Sequence, residues 1–193
     1  MDIDIDFADR NKILELVKHI PASMLVNEEY KKHNSGVYFQ NIPVNPITKA
    51  ASIDYKTAED RGYFKIDFLN VSIYRDVKNE KHLDELINRE PLWELLQHQE
   101  FSDNVFHLNG HSLLLQTMKP TNIDQLAMII AMIRPAKRHL IGKSWEQIER
   151  EIWQKPTNND YYFKKSHAFS YAMAVIAHMN LICENLTSLS SSN

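Results

Sequence analysis

Asp2-Ile3-Asp4-Ile5-Asp6-Phe7 alternates acid and apolar residue at every step, which is the period of a strand with one face buried and one in water. Asp2, Asp4 and Asp6 then share one face, and Ile3, Ile5 and Phe7 the other. A second stretch, Tyr63-Phe64-Lys65-Ile66-Asp67-Phe68-Leu69, alternates in the same way. It sets Lys65 and Asp67 on one face, opposite Phe64, Ile66 and Phe68. Two strands with outward carboxylates predict a small sheet at the head of the chain.

Between them, Asp9 is placed to cap a helix in which Ile13, Leu14, Leu16, Val17 and Ile20 fall at helical spacing until Pro21 stops it. A polar stretch follows, then a short strand from Gly36 to Phe39 and a loop around Pro43 to Pro46. From Asn79 the periodicity is helical. Leu83, Leu86 and Ile87 form one stripe, and Pro91 can open a second helix bearing Leu92, Leu95 and Leu96. Thr121 to Asp124 has the form of a cap for the helix that Pro135 ends, and Ser144 with Gln147 makes a capping box. Ser166 can cap a last long helix with Phe169, Ala172, Met173, Ile176, Met179 and Ile182 inward. The expected class is therefore α+β, with a sheet region over 1–78, a mainly helical region over 79–186, and a serine-rich tail over 187–193 that is disordered.

Composition narrows the function only by exclusion. The chain has 193 residues, 44% of them hydrophobic, and a formal net charge of -3, so any nucleic-acid contact must come from local basic clusters rather than bulk charge. The single cysteine, Cys183, excludes an internal disulfide and any multi-cysteine zinc site, which suits a reducing, cytoplasmic setting. No apolar run approaches the roughly 20 residues that span a bilayer, so no membrane partner is expected. The acidic first residues lack the form of a signal peptide. His19, His82, His98, His107 and His111 show no ligand spacing worth a zinc claim. Met128, Met132, Met173 and Met179, and Trp93, Trp145 and Trp153, read as core packing.

Three carboxylates on one strand face repel one another, and a divalent cation relieves that repulsion. Mg²⁺ takes oxygen ligands and is commonly held by one or two carboxylates with substrate phosphates. If the strand of Asp67 lies beside that of Asp4 and Asp6, the three acids can hold two cations about 4 Å apart. The plainer alternative is a solvated strand edge, with Lys65 and Asp67 as a surface ion pair.

Asp2-Ile3-Asp4-Ile5-Asp6-Phe7 closely resembles the Pro-Asp-(apolar)-Asp-(apolar)-Asp-Phe signature of bacterial DNA polymerase III alpha subunits, the C family. Phe64-Lys65-Ile66-Asp67-Phe68-Leu69 looks like the family's Lys-(apolar)-Asp-Phe-Leu-Gly motif, and Lys32-His33-Asn34-Ser35-Gly36-Val37 is similar to its Lys-His-Ala-Gly-Gly-Val. Val105-Phe106-His107-Leu108 resembles Val-Phe-Gln-Leu. Met118-Lys119-Pro120 with the helix ending at Arg134-Pro135 resembles the helix ending in Phe-Arg-Pro-Gly-Pro, except at Ala136 and Lys137. Phe163-Lys164-Lys165-Ser166-His167, followed by Tyr171-Ala172, is close to Phe-Asn-Lys-Ser-His ahead of Tyr-Ala. The blocks follow the family's order but sit closer together, which suits a viral or mobile-element origin.

The resemblance implies a small mixed sheet of the polymerase-beta-like nucleotidyltransferase palm type, followed by a partial fingers lobe. It implies DNA-templated nucleotidyl transfer with Asp4, Asp6 and Asp67 as catalytic acids holding two Mg²⁺, and a DNA primer-template and deoxynucleoside triphosphates as partners. Lys65, Arg134, Lys165 and His167 would face the triphosphate; the alternatives are a helix-end cation for Arg134 and a solvated helix start for Lys165 and His167. Lys137, Arg138, His139 and Lys143 form the densest basic patch, either a contact to a DNA backbone or a solvated loop. The family's Gly-Ser phosphate-binding motif and PHP domain precede its aspartate strand and have no counterpart in this sequence. A partner polypeptide supplying the Gly-Ser turn is therefore expected, and a catalytically inactive remnant that binds DNA or a replication protein, or another metal-dependent phosphotransferase or nuclease, are the competing readings.

Overall fold

The structure is a computed structural model that describes residues 3–156 and 162–190. It is a mixed α+β protein, and the chain divides into two compact units, Met1–Arg75 and Asp76–Asn193. The division falls three residues before the boundary expected at 78.

The first unit is built on β1 (Ile3–Phe7), α1 (Arg10–Leu16), β2 (Ile20–Val26), β3 (Glu29–Tyr38), α2 (Tyr55–Asp60) and β4 (Ile66–Asn70). Its sheet has the order β1-β4-β3-β2. β1 runs parallel to β4, and β3 is antiparallel to both β4 and β2. The Asp9 side chain caps α1 by accepting from the Asn11 N–H at 3.1 Å. The helix stops at Leu16, short of the expected Pro21, because Val17 already has extended φ/ψ and Ile20 pairs with Tyr38 in the sheet. Pro21 sits where the β2–β3 register shifts, which is where a strand tolerates a residue with no N–H to give.

The polar stretch after Pro21 forms a β-hairpin of β2 and β3. Asn27 and Glu28 both have positive φ, 50° and 66°, the backbone of a two-residue turn whose twist matches its strands. The core beneath is Ala22, Tyr38, Ile42, Ala51 and Ala58, flanked by Ile20, Ile53 and Tyr63. On the apolar face of the β1–β4 pair, Phe68 contacts Phe7 and Phe39, with centroids 4.7 and 5.8 Å apart. Ile3 and Ile5 remain exposed there, since β1 is an edge strand.

The second unit is helical: α3 (Glu80–Asn88), α4 (Gln99–Ser102), α5 (Ser112–Met118), α6 (Ile123–Met132), α7 (Trp145–Ile152) and α8 (Lys165–Ser190), with 3₁₀ turns at Ser72–Arg75 in the first unit and at Trp93–Gln97 and Pro135–Leu140 in this one. Its core joins α6, through Leu126, Ile129 and Ile130, to α8, through Ala172, Val175 and Met179. Burying the larger of these side chains, all but Ala172, contributes about 1.5–3 kcal/mol each relative to exposure. Asn122, not Thr121, caps α6 by accepting from Gln125 N–H, while the Ser144–Gln147 capping box forms as expected. Pro91 opens only the short 3₁₀ turn, and Leu92 is exposed.

α8 begins at Lys165, so Ser166 lies within its first turn rather than at its cap, and Met173 is exposed. The helix also runs through Thr187 to Ser190, a stretch expected to be disordered; 191–193 fall outside the described residues. α8 is fastened to α3 by polar ties. Buried Asn180 gives both amide hydrogens to the carbonyls of Leu86 and Arg89, each at 2.8 Å. Glu184 takes the His82 ring at 2.9 Å and the Arg89 guanidinium at 2.6 Å, and these two bonds hold its carboxyl below the ordinary range. Among the described residues, no helix is long and apolar enough to cross a membrane.

Candidate functional site

The parallel β1–β4 ladder sets Asp4 directly opposite Asp67, with Asp6 opposite Leu69. Parallel partners in register project to the same face, as do residues two apart on one strand. Asp4, Asp6 and Asp67 thus share one face of the sheet, although Asp67 lies far from the others in the chain. Burial and the like charge of Asp4 push the Asp6 carboxyl up, against a hydrogen bond from the Tyr74 hydroxyl that lowers it.

Asp67 is surrounded by donors. The Ser35 hydroxyl donates to its Oδ1 at 2.7 Å, and the Lys65 ammonium donates to its Oδ2. The His33 Nδ1 lies 3.7 Å from Oδ1, but that nitrogen already accepts the Gly36 N–H at 2.9 Å and the Ser35 N–H at 3.3 Å. Neutral His33 therefore carries its proton on Nε2 and gives none to Asp67. Burial and nearby Lys65 lower its affinity for a second proton. The Arg10 guanidinium joins the cluster by donating to the Asn34 carbonyl, and Tyr55 packs edge-on against His33 at 5.2 Å.

No family model matches the chain, and no curated protein matches it.

The donor set suits Mg²⁺ chemistry: carboxylate oxygens on one face, that of Asp6 pushed up by burial and by the like charge of Asp4. The side chains are nonetheless not gathered as ligands. Among the described residues, no three His, Cys, Asp or Glu side chains form a group able to hold a metal ion, and Asp67 is turned toward Lys65 and Ser35. The acids meet the expectation in strand and face, but not in convergence on one pocket.

The other expected contacts belong to the second unit. The Arg134 guanidinium stacks over Phe163 at 4.4 Å, and the Lys165 ammonium lies 5.9 and 5.7 Å from the Trp153 and Phe169 rings. The His167 ring is 6.3 Å from Phe163, nearly perpendicular. His107 is wedged edge-on between Phe106 and Tyr171, and burial beside Arg134 pushes it down to about 4.

Lys137 departs from its expected place in a DNA-facing patch. It is buried, and its ammonium donates to the Glu151 carbonyl at 2.6 Å, tying the 3₁₀ turn to α7. The aliphatic stem of a lysine makes this kind of burial possible. Arg138, His139 and Lys143 are exposed. Sequence reasoning gave no role to Ser35, His33 or Tyr74; the first two lie in the Lys32–Val37 block, the only signal that could have found them.

Proposed function

We propose that the chain carries the catalytic acids of a DNA-templated nucleotidyl transfer of the DNA polymerase III alpha kind, on a palm-type sheet with a fingers-like helical unit. The observation that carries this reading is the parallel β1–β4 register, which sets Asp4 beside Asp67 with Asp6 on the same face. Asp4, Asp6 and Asp67 would hold two Mg²⁺, which supply Lewis-acid activation of a 3′-hydroxyl and charge stabilisation at the leaving pyrophosphate. The residues themselves position charge. Tyr74 orients the Asp6 carboxylate through its hydroxyl, and Ser35 orients that of Asp67. Arg134 stacked on Phe163, and Lys165 between Trp153 and Phe169, present cations held by aromatic faces; such cations neutralise a triphosphate. His167 would join them, and Arg138 and Lys143 would meet the backbone of the primer-template. A partner polypeptide would supply the Gly-Ser turn.

A second reading, a catalytically inactive remnant that binds DNA or a replication protein, draws on the capture of Asp67 by Lys65 and Ser35. One assay separates the two. The chain is incubated with primer-template, deoxynucleoside triphosphates and Mg²⁺, beside the Asp4, Asp6, Asp67 triple alanine variant. Acid-dependent extension supports the enzyme. Acid-dependent cleavage of the primer supports a nuclease, and neither product, with retained DNA binding, supports the remnant. Weak extension that rises when a Gly-Ser-bearing partner is added is the expected result.

A further inference from the structure

Lys65 stands just before β4, two residues ahead of Asp67, and its ammonium rests on the Oδ2 of that carboxylate. The two side chains are only 15% and 14% exposed. The lysine stem lies where other residues would have a side chain: a Cβ on Gly36 would stand 2.6 Å from Lys65 Cδ and 3.0 Å from its Cγ. Gly36 therefore holds open the space through which Lys65 reaches Asp67. The Tyr55 ring lies beside the ammonium, centroid at 5.8 Å, and Ser35 takes the other carboxylate oxygen at 2.7 Å.

An ammonium and a divalent cation cannot share one carboxylate oxygen at bonding distance, because their charges repel in a half-buried site. We propose that Lys65 is a tethered counter-ion that neutralises Asp67 in the metal-free protein and must be displaced before a divalent cation can use that carboxylate. The inference rests on the reading of Asp4, Asp6 and Asp67 as a cation site, and adds to it a competitor two residues from Asp67 in the chain. Such a competitor lowers apparent affinity by the fraction of molecules in which the carboxylate is free.

Mn²⁺ binding to the full chain, followed by the loss of its free-ion electron paramagnetic resonance signal, tests this. Lys65→Met is expected to bind Mn²⁺ about tenfold more tightly than the unaltered protein, the size of a typical coupling between two sites. Lys56→Met removes a nearby exposed ammonium, 6.0 Å from the same Tyr55 ring, and should tighten binding about twofold at most, as a distant screened charge does. Independently of any variant, saturating Mn²⁺ should speed acylation of Lys65 in the unaltered protein, measured by mass spectrometry, because displacement exposes the amine. Equal tightening in both variants, no tightening in Lys65→Met, or Lys65 acylation indifferent to Mn²⁺ overturns the proposal. If Mn²⁺ binding is lost in Asp4→Asn/Asp6→Asn while Lys65→Met changes nothing, the competitor falls and the cation site stands. Mn²⁺ binding that ignores Asp4 and Asp6, or is absent from every variant, overturns both.

Discussion

Asp6→Asn should make the metal-free protein more stable at neutral pH. Two residues of strand separate Asp4 from Asp6, about 6.8 Å at the usual rise. Two unit charges at that distance repel by about 0.6 kcal/mol in water and about 2.4 kcal/mol at an effective dielectric of 20. Both residues are exposed on the edge strand, although the Asp6 carboxyl is itself partly withdrawn from water, so screening keeps the mutual repulsion near the lower bound, about 0.5–1 kcal/mol. Asparagine can still accept from Tyr74, so little is lost in exchange. For a unit of this size the gain corresponds to a rise in melting temperature of roughly 2–8 °C. The folded protein raises the Asp6 carboxyl, so it binds that proton more tightly than the unfolded chain does. Stability is therefore lost as pH rises through the ordinary carboxylate range to the raised value, and stays lost above it. The advantage of Asp6→Asn should be full at neutral pH and vanish near about pH 3, where both states are protonated. Calorimetry in a chelator suits the measurement, because Trp93, Trp145 and Trp153 all lie in the second unit and tryptophan fluorescence would not follow the first. Asp6→Asn melting at or below the unaltered protein at neutral pH, or an equal gain in an Asp4→Asn background, would refute the like-charge argument.

Two further outcomes are expected. Lys137→Ala should lower stability by about 1–3 kcal/mol, by removing a charge-assisted bond to the Glu151 carbonyl, which keeps only the Gln154 N–H at 3.2 Å and the Trp153 N–H, and by removing packed methylenes, while electrophoretic mobility shifts with DNA stay unchanged; weakened DNA binding with an intact melt would return Lys137 to the surface. Arg134→Ala and Lys165→Ala should weaken binding of a nucleoside triphosphate about tenfold each without affecting Mn²⁺ binding, as isothermal titration would show, because cations on aromatic faces serve phosphate oxygens rather than the metal.

The strands that carry the acids were legible because one face of each is apolar at strict period two. β2 and the start of β3 were not, since Lys31, Lys32 and Asn34 are exposed and the hairpin turn uses Asn27-Glu28 without a glycine. Ile20 and Pro21 fitted a helix end equally well, and only pairing with Tyr38 and Val37 decided for strand. The same limit applies to the site. Asp4, Asp6 and the Lys65–Asp67 pair announce themselves locally, but Ser35 meets Asp67 only because β3 pairs Gly36 with Asp67, a fact of register that no local pattern encodes. Lys137 was misread for a different reason: a basic run looks the same whether its lysine stem is solvated or packed.

β1 is an edge strand whose one neighbour is β4, joined by a parallel ladder that closes a loop spanning nearly the whole first unit. Such a contact repays its loop-closure entropy only after the intervening hairpin and α2 are in place. The carboxylate face is therefore among the last features to assemble and the first to open, and amide hydrogens of β1 should exchange with solvent well before those of β3.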